Sequence, residues 1–225
     1  MTATAMEHAE MTQVIGQVPD LPTDYLAIPF DWERGGQAKW EILATMAADR
    51  PHWFSGPTTD AERRQIVAYL LTHPEHLVWE VWRGGTFIGI LMLQRIAPKA
   101  DALLHFVFVD RSLAGKAKLI QRFCGYCFGE LGLQRLSLEV PEYLQTLVSF
   151  ARRKLDFKFE GEGLEPHPVE RIMLTPTRVK VVNPHEWLAS RGARREHAHW
   201  CDGKWYDVLC LRLLAREYRE RHPEV

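Results

Sequence analysis

Four groups of residues have types and spacings that could do chemistry. The run Leu104 to Val109, apolar and rich in β-branched and aromatic residues, meets Asp110-Arg111-Ser112 and passes through Gly115 into a helical pattern. A strand, a small-residue turn and a helix in that order gather unpaired backbone N–H groups and the positive end of a helix dipole at one point, where phosphate binds well. Cys124 and Cys127 have the spacing of a redox pair. They fall inside the helical pattern, away from a helix N-terminus that would lower a thiol pKa, and so read as buried core thiols. His197, His199 and Cys201 alternate and would share one face of a strand, with His185 and His167 upstream. No fourth ligand stands at a recognised interval, and no metal is expected. Arg191, Arg194 and Arg195 form a basic knot that would suit an acidic substrate, a phosphate or nucleic acid, or would otherwise sit in a solvated loop.

The elements that must position these groups follow from periodicity. Ala38 to Met46 looks helical, and Thr59 with Asp60 and Glu62 is an N-cap region for a helix to about His73. Val78 to Arg83 alternates with period two, Gly84-Gly85 makes a tight hairpin turn, and Thr86 to Leu93 resumes as a strand. A third strand covers Ala102 to Val109, and a helix runs from about Leu113 to Leu131, with Gly132 as its C-terminal cap. Then come a strand at Arg135–Val140, a helix at Glu142–Leu155, a short strand at Phe157–Glu160 and a last strand at Trp205–Leu213 with a charged tail. Residues 161–200 hold four prolines and the least regular pattern, with short strands at 171–174 and 179–182 and a helical turn at 186–190 as its only signals. The order predicts a mixed α/β (α+β) domain: an antiparallel first part passing into a β-α-β crossover.

Length and composition bound the function. The 225 residues suit one well-cored domain over 1–225, with residues 1–24 as a loose leader. A formal net charge of -1 argues against general capture of nucleic acid. Eight Trp residues read chiefly as core filler. No run approaches the ~18–20 apolar residues of a membrane helix. The N-terminus lacks the basic and apolar regions of a signal peptide, and four Cys without such a signal read as reduced thiols, so a soluble cytoplasmic protein is expected.

Three motifs in order resemble the GNAT N-acetyltransferase superfamily, closest to its ribosomal-protein N-terminal acetyltransferase branch, over about residues 77–218. Ser112-Leu113-Ala114-Gly115-Lys116-Ala117 stands against the family's Q/R-x-x-G-x-G/A, keeping Gly115 and Ala117 but placing Ser112 first, with Arg111 one residue earlier. Lys154-Leu155-Asp156-Phe157-Lys158-Phe159-Glu160-Gly161 is similar to K-L-G-F-x-x-E-G, with Asp156 in place of Gly; Asp tolerates the left-handed backbone region such a turn needs. Asp202-Gly203-Lys204-Trp205-Tyr206-Asp207 looks like the branch's closing D/N-G-x-x-x-D strand. The resemblance implies a mixed central sheet flanked by helices, with residues 161–200 as an insertion before the last strand.

It also implies an activity: transfer of an acetyl group from acetyl-CoA, as co-substrate, to a primary amine, either a protein or peptide α-amine or a small amine. The pyrophosphate would sit on Arg111, Ser112, Leu113, Ala114, Gly115, Lys116 and Ala117. The acyl-pantetheine would lie along Phe106, Val107, Phe108 and Val109, with an oxyanion donor among the amides of Phe106 to Phe108 and Gln145 where the family often has an Asn. His105, entering this strand near the substrate end, and Glu139 on the next strand are the candidate proton acceptors. Arg152 stands where many members carry a Tyr acid, so Tyr143, Tyr126 or water would protonate the leaving thiol. A GNAT-shaped binding module without catalysis, another acyl-CoA or a nucleobase amine are the alternatives. A homodimer is allowed, and a membrane is not expected.

Overall fold

The computed structural model describes residues 15–49, 59–110, 113–160, 193–201 and 203–223. Its centre is a mixed sheet of eight strands: β1 (Tyr25–Pro29), β2 (Leu77–Arg83), β3 (Thr86–Ala97), β4 (Asp101–Phe108), β5 (Arg135–Pro141), β6 (Lys158–Phe159), β7 (Arg194–Cys201) and β8 (Lys204–Leu214). The helices are α1 (Gly36–Ala48), α2 (Asp60–Thr72), α3 (Ala117–Gly129), α4 (Gln145–Lys154) and α5 (Ala215–Arg221). The order across the sheet is β1-β2-β3-β4-β5-β8-β6, with β7 also on β8. Every neighbouring pair is antiparallel except β4 and β5, which α3 joins as the β-α-β crossover.

Local chemistry explains most of the elements. The β2–β3 hairpin closes on Gly84 and Gly85, both at positive φ (55° and 80°) as a two-residue turn requires. A full capping box starts α2, Thr59 accepting from the Glu62 amide and Glu62 from that of Thr59. Asp156, at φ 62°, makes the left-handed turn after α4 that a Gly usually makes. α3 starts four residues later than its apolar pattern suggests and ends at Gly129, because Leu113 to Lys116 form the entering turn. Gly132, at φ 68°, then returns the Leu133 N–H to the Cys127 carbonyl at 3.0 Å.

Two apolar layers cover the sheet. One holds α3, α4 and α5 against Trp79, Leu91, Leu104, Leu136 and Leu211; the other holds α1 and α2 against Val78, Ile90 and Met92. Cys124 and Cys127 lie wholly inside the first, and burial pushes the Cys124 thiol up to about 12, so these are inert core thiols.

Several segments depart from the sequence reading. Residues 15–24, expected as part of a loose leader, are fastened to the sheet: Trp79 donates its indole N–H to the Gly16 carbonyl at 3.0 Å, and Val18 is buried. They lead into β1, whose short YLAIP run carries no clear alternation. The charged tail begins as helix α5, which buries Ala215 and Tyr218 among its charges. The strands and turn expected at 171–190 lie outside the described residues, as do residues 1–14. The end of the expected insertion, Arg194 to Trp200, belongs to β7. The chain leaves and rejoins the sheet at one residue: Cys210 accepts from the Glu160 N–H at 3.1 Å and donates to the Ala193 carbonyl at 2.7 Å.

Candidate active site

The site begins where two strands part. β4 and β5 pair only from Asp101↔Arg135 to Leu103↔Ser137, although β4 runs on to Phe108 and β5 to Pro141. In the β3–β4 ladder, Val109 donates to the Ile88 carbonyl at 2.9 Å, so Val107 and His105, two and four residues back, also bond to β3. The backbone groups of Phe106 and Phe108 therefore face the opening. Behind them Gly89 permits the close approach of β3 to β4: a Cβ there would lie 2.0 Å from the Val107 carbonyl oxygen.

A cavity of about 570 Å³ passes through this opening, within the usual range for small-molecule sites. Leu43, Val67 and Leu71 line it from the α1/α2 layer, and Phe108, Leu113 and Leu147 from the α3/α4 layer, so it crosses the sheet. His105, Glu139 and Tyr143, the three catalytic candidates, all line it, with Phe106 and Val107. His105 and Glu139 lie two residues beyond the last β4–β5 pair, level with one another on the α1/α2 face.

At the α3 end of the opening, Gly115 takes φ 72° and its carbonyl accepts from the Tyr25 hydroxyl at 3.5 Å. The first i→i−4 bond of the helix runs from Ile120 to Lys116, so the N–H groups of Ala117, Lys118 and Leu119 precede the ladder. Unlike α2, α3 has no side-chain cap and no acidic residue in its first turn. Its start is open to an anion. Lys116 turns inward, buried, with its Nζ 2.7 Å from both Asp110 carboxylate oxygens and over the Phe108 ring. It braces the turn. Arg111 and Ser112 lie outside the described residues.

Charges at the other end set the proton chemistry. Burial pushes the His105 imidazole down to about 4, Glu139 opposing and Arg95 adding to the shift, and its Nε2 is buried with no hydrogen-bond partner among the described residues. Burial alone would raise the Glu139 carboxyl, but the Arg195 and Arg95 guanidiniums outweigh it and hold the group below its ordinary value. Each is a weak base. The basic knot is thus largely consumed here: Arg195 pairs with Glu139, Arg194 with Asp207 and Glu142, and Arg191 lies outside the described residues. Burial raises the Cys210 thiol, which faces Glu139 on β8.

Two expected residues sit elsewhere. Gln145 donates to the Glu142 carbonyl and lines a separate groove on the far side of α4, with Arg152 stacked over Phe159. Thr146 lines the cavity in its place. Tyr126 is buried under β2 and accepts from the Gly16 N–H at 3.0 Å, so it is a core residue. One partner was not legible in the sequence: the Tyr143 hydroxyl lies 3.0 Å from His199 Nε2, brought in by β7. The expected alternation of His197 with His199 and Cys201 is broken, because the β7 register slips between Arg195 and His199, with His197 at φ 48°. Among the described residues no three His, Cys, Asp or Glu side chains are placed to hold a metal, and no helix is long and apolar enough to cross a membrane.

No protein-family model matches the sequence, and no curated protein matches it. Solved structures do match the fold. The ribosomal α-N-protein acetyltransferase RimL in complex with coenzyme A aligns with a TM-score of 0.60 at 15% identity, covering 89% of this chain and 99% of that one. A variant of the spermidine N-acetyltransferase SpeG from Vibrio cholerae gives 0.60 at 13% identity, over 89% and 99% of the two chains. A probable GNAT-family acetyltransferase from Chromobacterium violaceum gives 0.61 at 16%, over 90% and 88%.

Proposed function

We propose that this chain, which has the GNAT fold, is a cytoplasmic N-acetyltransferase that moves an acetyl group from acetyl-CoA to a primary amine. One observation carries the reading: β4 and β5 part after Leu103↔Ser137, and a cavity crosses the sheet there beside the uncapped start of α3. The residues suit the co-substrate. Gly115 and the amides of Ala117, Lys118 and Leu119 would hold the pyrophosphate, with Leu113 and Ala114 completing the turn. The outward backbone groups of Phe106 and Phe108 would bond the pantetheine arm as an added strand, and one of their amides would meet the developing oxyanion. Val107 and Val109 spend their amides on β3 and act through packing alone.

The acceptor nitrogen attacks the thioester carbon; a C–N bond forms and the C–S bond breaks. With no strong base among the described residues of the cavity, an acceptor that is already partly neutral is favoured. An α-amine, with a pKa near 8, is about half neutral at pH 8, whereas a lysine-type amine is only roughly 0.4% neutral. This favours a peptide or protein α-amine, and next a free amino acid, whose adjacent carboxylate raises its amine above that value. Once attack has made the nitrogen acidic, neutral His105 or water takes its proton. Tyr143 supplies the proton to the departing sulfur, with His199, as the Nε2–H tautomer, donating to the phenol oxygen and holding it in place. Calorimetric titration of acetyl-CoA, followed by thiol release with a panel of amines, tests the reading. Binding with turnover of α-amines is expected; no binding at hundreds of micromolar overturns it.

A further inference from the structure

The charges at the acceptor end of the cavity indicate what accompanies the amine. Arg95, Glu139 and Arg195 form one row across β3, β5 and β7 on the α1/α2 side. Arg95 reaches the row through a bulge: the β3–β4 register slips between Gln94 and Ala97, and Arg95 takes φ 47°. Bulges re-aim side chains, and a left-handed φ at a non-glycine residue is uncommon. Both terminal nitrogens of its guanidinium meet the Glu139 carboxylate, at 2.7 and 3.4 Å. Arg195 grips the same carboxylate from β7.

The row holds two cations and one anion, and burial keeps neighbouring His105 neutral at pH 7. Exposure divides the same way: the side chain of Glu139 is 24% exposed, those of Arg95 and Arg195 65% and 46%. Of the three, Glu139 lines the cavity, and Arg95 and Arg195 flank it as the more exposed groups, each bonded to its carboxylate. Among the described residues a polyamine finds no uncompensated acid lining the cavity, because Glu139 is already doubly engaged. Beside the row stands an apolar wall of Leu43, Val67, Leu71, Ile90 and Met92.

Building on the acetyltransferase reading above, we propose that the acceptor is an amine with a carboxylate a few bonds from the nitrogen, bound by Arg95 and Arg195 while its apolar part lies on that wall. The planar guanidinium fork matches a carboxylate in a way an ammonium does not. Two sources share this chemistry: a free α-amino acid with an apolar side chain, and a peptide whose first residue is acidic.

Steady-state kinetics of the full chain with acetyl-CoA separates them. Leucine is compared with leucinamide, a peptide opening with glutamate with its glutamine counterpart, and both pairs with spermidine, each rate being referred to the concentration of neutral amine because leucine's carboxylate raises its amine pKa. The carboxylate-bearing member of one pair is expected to have the higher kcat/KM, by about tenfold to a hundredfold, and the pair that shows the gap identifies the source. Arg195→Gln and Arg95→Gln each shrink that ratio, and Arg195→Lys restores only part of it. The comparison on the unsubstituted protein does not depend on how the variants fold. Ratios within twofold in both pairs, or spermidine as the best acceptor, overturn this inference and leave acetyl transfer standing. No turnover of any amine overturns both.

Discussion

Replacing Gly89 by alanine tests whether the opening between β4 and β5 depends on the strand behind it. An added Cβ would stand 2.0 Å from the Val107 carbonyl oxygen and 2.9 Å from the Phe108 Cα. Both are backbone atoms, so no side chain can swing aside, and the φ of 149° is itself unfavourable for alanine. Overpacking costs about 1–3 kcal/mol and backbone strain about as much again, or roughly 4 kcal/mol together. That is a large share of the stability of a typical domain. The atoms that must yield belong to Val107 and Phe108, the segment proposed to receive the pantetheine arm. Gly89→Ala should therefore lose about 4 kcal/mol in urea unfolding and also bind acetyl-CoA more weakly by calorimetry, although Gly89 does not line the cavity. Gly129→Ala is the control, since a Cβ there meets nothing within 4 Å and helix propensity favours alanine by up to about 1 kcal/mol. A Gly89→Ala protein that unfolds with the parent and binds acetyl-CoA as well would refute the reasoning.

Three further outcomes are expected. His105 stays neutral in the folded chain down to about pH 4, against an ordinary 6.5, so the unfolded chain takes up a proton first. Its contribution is complete above pH 6.5 and is lost as the pH falls to 4, about 3 kcal/mol in all; His105→Gln should flatten the fall in stability between pH 7 and pH 4 by that amount, and parallel curves would count against it. Asp110→Ala removes the carboxylate that neutralises a buried ammonium and should cost about 3 kcal/mol, whereas Lys116→Met leaves a half-exposed carboxylate in water and should cost under about 1 kcal/mol; equal losses in chemical denaturation would contradict the asymmetry. Tyr143→Phe should lower kcat by about a hundredfold while leaving the Kd for acetyl-CoA unchanged; an unaltered kcat would remove Tyr143 from the mechanism.

Much of this was legible in the chain because it rests on short-range chemistry. The Gly84-Gly85 turn, the Thr59–Glu62 capping box and the left-handed Asp156 are each determined by a few adjacent residues, and the structure has all three. The turn into α3 was legible for the same reason. What escaped depends on partners far apart. β1 is a strand because β2 offers it an edge, not because YLAIP alternates. Gln145 was placed by its position in a motif, but on α4 a shift of one residue turns a side chain by about 100°, and Thr146 faces the cavity instead. The Tyr143–His199 pair joins residues 56 positions apart, and no local spacing could announce it. Arg95 required a bulge that no glycine marks, Pro98 coming only after it.

Cys210 gives the molecule a port. Both its backbone groups are taken, one by Glu160 and one by Ala193, so the chain departs and returns at a single point on β8. A loop closed on such a point costs only about 0.6 kcal/mol for each doubling of its length. Glu160 and Ala193 thus meet on one residue although 33 positions separate them along the chain. The port stands directly across from Glu139 and one strand further from β4. On the acetyltransferase reading proposed above, a change in chain length at this point would fall on the acceptor side and leave the α3 turn untouched.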